Sequence, residues 1–164
     1  VAQAHIDHHK HVQSLYEELL KDVKGVHIHK QPADKRYDSN FWLCTATIDE
    51  DVKVVGQENA YQEVIKTAVG GAAGVIKAVN SATTDCQPNE NVEALRVFML
   101  NNKIEARPVW KPMHKQPVYV DAPCYTNGIE EDIFKIGFCL PAGPYVIDDD
   151  VKYIVEKIKE AIIG

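Results

Sequence analysis

Along residues 1–23 the apolar positions Val12, Leu15, Tyr16, Leu19 and Val23 recur at steps of three and four, which sets them on one face of a helix. Gly25 stands where such a helix stops. The pattern then changes period. In "VHIHK", Val26 and Ile28 alternate with His27 and His29, as in a half-buried strand. A polar turn, "QPADKRYDSN", leads into "FWLCTATI" (41–48), whose aromatic and β-branched content predicts a second, more central strand. From 57 to 79 the helical period returns, but "GGAAG" at 70–74 weakens it, so two short helices or one frayed helix are expected. After a loop at 80–91, Asn89 or Asn91 is placed to cap a helix at about 92–102, with Val92, Leu95, Val97, Met99 and Leu100 as its apolar stripe. "IEARPVW" follows as a strand that must lie at an edge, because Pro108 donates nothing to a ladder. A short helix over 129–137 ends at Gly137, and "FCLP" is a short extended piece. The last helix has Asp148 as cap and Asp149 and Asp150 in its first turn. Val151, Ile154, Val155, Ile158 and Ile162 make its apolar stripe, with Lys157 and Lys159 near its C-terminal end.

A few strands mixed with helices, not strictly alternating, predict an α+β fold of two layers: a small, mostly antiparallel sheet covered by helices. With 164 residues the chain fits a single domain, residues 1–164. A hydrophobic fraction of 45% and a charged fraction of 26% are ordinary for a globular protein. A formal net charge of −6 argues against a nucleic-acid partner, since neutralising phosphates needs a basic surface. No run reaches the roughly eighteen apolar residues of a membrane span, and no signal-peptide pattern opens the chain. Cys44, Cys86, Cys124 and Cys139 are widely spaced and form no CxxC pair, so they are expected as reduced thiols in a cytoplasmic protein. The chain begins with Val1, not Met, which suits a processed product or a piece of something longer.

Candidate chemistry gathers in two places. His5, His8, His9 and His11 crowd the first helix, and His5 with His9 is an i, i+4 pair able to share a metal ion. The glutamate that would follow the first histidine in a zinc-protease helix is absent, Ile6 standing there, and a polar helix face is the simpler account. "GGAAG" lacks the context of a phosphate loop. The second place is "EARPVWKPMHKQPVY" (105–119). Arg107 offers a planar fork for a carboxylate or diphosphate, and Lys111 adds a point charge. Trp110 has a ring to stack on a base or sugar, and His114 brings an imidazole. Pro108, Pro112 and Pro117 stiffen the backbone between them. The residues alone leave two readings open: a preorganised binding wall, or a rigid loop in which Trp110 is core and Arg107 pairs with a nearby acid.

"EARPVWKPMHKQPVY", followed by "YTNGIEEDIFKIGFCLPAG", resembles the C-terminal part of the DegT–StrS family of sugar aminotransferases, and "YDSNFWLCTATID" (37–49) is similar to that family's "SNYWL" strand. The resemblance runs through nearly the whole chain in the right order, except that "VGGAAGVIKAVNSATTDCQP", within residues 52–88, has no evident counterpart, which implies an inserted helical or loop segment at about 52–90. It implies the small domain of an enzyme that uses pyridoxal phosphate to move an amino group from glutamate to a nucleotide-linked keto sugar. It further implies that Arg107, Trp110, Lys111 and His114 line the sugar-nucleotide side of the cleft, and that the full-length enzyme is a homodimer. The N-terminal catalytic domain, with its Schiff-base lysine, would be a missing partner. The chain alone would then be non-catalytic and bind no cofactor. Two alternatives stay beside this one: a free-standing sugar-nucleotide binding module, and a metal-binding domain built on the histidine cluster.

Overall fold

The computed structural model describes residues 2–62 and 86–163. Helix α1 (Ala2–Leu20) is followed by strands β1 (Val26–Ile28), β2 (Cys44–Ile48) and β3 (Lys53–Val54). Beyond the undescribed segment come helix α2 (Glu90–Asn101), strand β4 (Arg107–Pro108), a 3-10 turn (Met113–Lys115), helix α3 (Ile129–Ile136), strand β5 (Gly137–Leu140), helix α4 (Asp148–Ala161) and strand β6 (Ile162–Ile163). The four-stranded sheet has the order β1-β2-β5-β4, and every pairing is antiparallel. β3 and β6 pair separately. The fold is α+β, as the sequence pattern predicts.

The register divides the sheet into two faces, because side chains of paired residues point the same way and alternate along each strand. Cys44 faces Leu140 and Ala46 faces Phe138 across β2 and β5, and all four are buried. With Val26 and Ile48 they meet the apolar faces of α1, α2 and α4 in one continuous core. α1 contributes Val12, Tyr16 and Leu20, each one turn from the next and almost wholly buried. The Tyr16 hydroxyl donates to the carbonyl of Pro141 at 2.9 Å, so its polar tip is satisfied under the sheet. α4 contributes Val151, Ile154, Val155 and Ile158, and ends in Ala161 where Ile162 begins β6.

Several local expectations shift. The strand expected over 41–48 starts only at Cys44, because Phe41 takes φ 47° and Asn40 and Trp42 form a side-chain-closed turn. Asn89 occupies the N-cap of α2, but its side chain makes no capping bond, its amide reaching Glu50 Oε1 at 3.4 Å. Asn91, inside the helix and buried, donates instead to the carbonyls of Asp49 (2.9 Å) and Val52 (3.2 Å). Leu100 is exposed, and Ala94 takes its place among the buried positions of α2. Ile147, not Asp148, is the N-cap of α4, and its backbone N–H donates to the Asp150 carboxylate at 3.0 Å. The helical reading of 57–79 is covered only by a 3-10 turn at Gln57–Asn59 and the residues just after it. The rest, "GGAAG" included, lies outside the described residues.

Candidate functional site

β4 lies at the sheet edge, as Pro108 requires, and pairs Arg107 with Cys139 and Pro108 with Phe138. Cys139 also faces Thr45, so Arg107 stands on the face opposite the core. Gly137, at the start of β5, makes room for this edge. A Cβ there would come within 2.6 Å of the Ile133 carbonyl and 2.9 Å of the Val109 side chain.

Beside this edge opens a cleft of about 1040 Å³. Its described lining includes Glu105, Arg107, Pro108, Val109, Trp110 and Lys111 from the edge strand and the loop after it. Trp42 and Leu43 come from the approach to β2, and Cys139 to Pro144 from β5 and its exit. Glu93 and Arg96 of α2, His5 and His9 of α1 and Phe134 of α3 also line it. Three of the four residues singled out from the resemblance, Arg107, Trp110 and Lys111, therefore share one concavity. His114 is not among the lining residues. It is largely buried behind the loop, with its Nε2 2.9 Å from Glu131 Oε1 of α3.

The charges in the cleft are arranged in pairs of unequal strength. Arg107 directs its Nε at Glu105 Oε1 (2.8 Å), and one terminal nitrogen reaches the same oxygen. Both side chains are mostly in solvent, where such a pair contributes little and is easily exchanged for a better anion. Arg96 and Glu93 form the opposite case. Glu93 is buried, and burial raises its carboxyl above the ordinary range against the lowering pull of the Arg96 guanidinium. Among the described residues Arg96 Nε is buried without a partner. The rim therefore carries an exposed cation free to exchange its partner for another anion, while the deeper pair is committed internally.

Trp42 and Trp110 are both 65% exposed, and their ring centroids lie 6.4 Å apart with 38° between the planes. Trp110 is therefore not core. Trp42 went unnoticed in the sequence because "FWLCTATI" reads as one strand, although the preceding "DSN" is a turn signal that could have released it. Glu93 and Arg96 were also missed, since a charged i, i+3 pair on a helix ordinarily marks a solvated face.

The N-terminal histidines separate. His5 and His9 line the cleft, His8 Nε2 lies 3.2 Å from the Gly143 carbonyl, and His11 Nε2 lies 2.7 Å from Asp148 Oδ1. His27 Nε2, on β1, lies 2.9 Å from Asp49 Oδ1. Among the described residues no three His, Cys, Asp or Glu side chains come together to hold a metal ion. Burial pushes the Cys44 thiol up to about 12 and raises Cys139 as well, which makes both poor nucleophiles.

The chain has clear relatives. The sequence profile of the DegT/DnrJ/EryC1/StrS aminotransferase family matches residues 72–159, and the chain belongs to that family. The match begins inside the 52–90 segment. EpsN of Bacillus subtilis (strain 168), named as a pyridoxal phosphate-dependent aminotransferase, is 40% identical over 62 residues, 35% of this chain and 16% of its own. GDP-perosamine synthase of Escherichia coli O157:H7 is 37% identical over 71 residues, 43% of this chain and 19% of its own. A crystal structure of DesI, solved in the presence of its TDP-sugar product, superposes with a TM-score of 0.61 at 19% identity. That superposition covers 96% of this chain and 31% of DesI. The chain thus spans about a third of the solved structures it matches and a smaller share of the curated relatives. Among the described residues no helix is long and apolar enough to cross a membrane.

The cleft residues do not by themselves fit pyridoxal phosphate. Among the described residues its carboxylates are Glu93, committed to Arg96, and Glu105, which lies beside Arg107 at the exposed rim, so no buried, unpaired acid faces a pyridine nitrogen. Its described lysine, Lys111, sits between Pro108 and Pro112 on the edge loop.

Proposed function

We propose that this chain is the small, C-terminal domain of a pyridoxal phosphate-dependent sugar aminotransferase, and that it supplies one wall of the substrate cleft. The parent enzyme would transfer the amino group of glutamate to a nucleotide-linked keto sugar. Pyridoxal phosphate supplies the electron sink for such a transfer, held by residues outside this chain. The observation that carries the reading is the convergence of Arg107, Trp110 and Lys111 on one cleft in a chain of this family.

In this reading the diphosphate meets Arg107, whose fork is only loosely held by Glu105, and Lys111 adds charge without a directional demand. Trp110, with Trp42 beside it, gives a flat ring of the ligand a face to lie on. Exposed apolar residues beyond the loop, Val118, Val120 and Tyr125 among them, form the surface that the rest of the enzyme or a second subunit covers.

Isothermal titration of the chain with UDP-, GDP- and TDP-linked hexoses tests the proposal. At least one should bind with a dissociation constant between micromolar and millimolar. Arg107→Ala should weaken that binding about tenfold or more, the size of a lost charge-assisted contact. Absence of heat with all three at millimolar concentration would overturn it.

A further inference from the structure

The loop that presents Trp110 and Lys111 is held from behind. Pro112 is buried, and the 3-10 turn after it folds the chain back on itself. Lys115 N–H donates to the Pro112 carbonyl at 2.9 Å, and the Gln116 side-chain amide donates to the Lys111 carbonyl at 2.9 Å. The same turn is tied to α3. His114 Nε2 lies 2.9 Å from Glu131 Oε1, and its Nδ1 lies 3.8 Å from Glu130 Oε1. Lys115 Nζ lies 3.3 Å from Glu131 Oε2, so adjacent residues of the turn hold both oxygens of one carboxylate. α3 is a firm post, because it runs without a break into the interior strand β5, and Asn89 N–H donates to its Lys135 carbonyl at 2.8 Å. None of His114, Lys115, Glu130 and Glu131 lines the cleft.

We propose that His114 is a positioning residue and not a ligand-binding one: its bond to Glu131, backed by Lys115, fixes the orientation in which Trp110 and Lys111 face the cleft. The inference deepens the proposed function and rests on it for what the loop serves. The order of the loop is readable without any ligand.

The chain has only Trp42 and Trp110, so Trp42→Phe leaves Trp110 as the single fluorescent reporter. In that background His114→Ala should raise the acrylamide quenching constant of Trp110 by about a factor of two, as local opening becomes more frequent. It should also lower the anisotropy of Trp110. Glu131→Ala, which also releases Lys115, should equal or exceed it, the double variant should go no further than Glu131→Ala, and His114→Gln, which keeps an N–H to offer Glu131, should recover most of the parent value. Far-UV circular dichroism confirms that each variant is folded where the quenching is read. Equal quenching in the parent and His114→Ala would overturn the proposal, as would effects that simply add in the double variant. Loss of nucleotide-sugar binding in His114→Ala with Trp110 order unchanged would also overturn it, by making His114 a direct ligand. A chain that binds no nucleotide sugar yet shows the full quenching pattern keeps the latch and sinks only the proposed function.

Discussion

Phe138 and Cys139 are neighbours on β5, yet they belong to different chemistries. Phe138 turns to the helices and is 1% exposed, in the same core as Tyr16, Leu95, Met99 and Ile158. Cys139 turns to the other face, paired across the strands with Thr45 and Arg107. On the first face, position is set by volume and apolar area, which no single bond decides. On the second, position is set by a few directed polar bonds between loops, each worth little and each able to exchange. A small domain that must hold its shape and still present exchangeable charge gains from separating the two tasks by one sheet.

The largest break in that separation comes from the core side. Phe138→Ala should cost about 3–5 kcal/mol by leaving a cavity under the sheet, measured by urea unfolding, while the distribution of charge in the cleft is untouched. The next comes from the pair that lies between the two regimes. Arg96→Met leaves Glu93 buried without its cation and should cost about 3 kcal/mol, and adding Glu93→Gln should return most of it. If Arg96→Met alone proved neutral, the pair would belong with the exposed, exchangeable charges.

The smallest effect concerns the latch and depends on pH. The hydrogen bond from His114, with Lys115 beside it, holds the Glu131 carboxyl below its ordinary range. A carboxylate lowered in the folded state contributes stability that is complete above its unfolded value and is lost as pH falls through the folded one. Trp110 quenching in the Trp42→Phe chain should therefore be flat on the alkaline side of the carboxylate range and rise as acid titrates Glu131. Glu130, held low chiefly by the Thr126 hydroxyl, titrates beside it on the far side of the His114 ring. Glu131→Gln should remove the greater part of the acid rise.

The core face was legible in the sequence because burial imposes period. The steps of Val12, Tyr16, Val151, Ile154 and Ile158, and the alternation at Val26 and Ile28, come directly from helix and strand geometry. Pro108 announced an edge strand for an equally simple reason. Arg107, Trp110 and Lys111 drew attention through residue type and resemblance, but their convergence on one cleft depends on long-range pairing that no local pattern contains. His114 shows the limit most clearly. Its place in "WKPMH" groups it with its neighbours, while Pro112 and a 3-10 turn rotate it away, toward a helix fifteen residues further on. Trp42 was hidden by the opposite error, an apolar run taken as one strand when Phe41 turns the chain before the strand begins.

The central claim, that the rim of this cleft meets a nucleotide sugar, is most directly tested at the tryptophan side chains themselves. A nitrogen-15 spectrum of the chain should show one indole signal from Trp42 and one from Trp110. The account predicts that a nucleotide-diphosphate hexose shifts the Trp110 signal, and that the free hexose or the Arg107→Ala variant leaves it in place. Indole signals that stay fixed at millimolar nucleotide sugar, or that move equally with the free hexose, would contradict it.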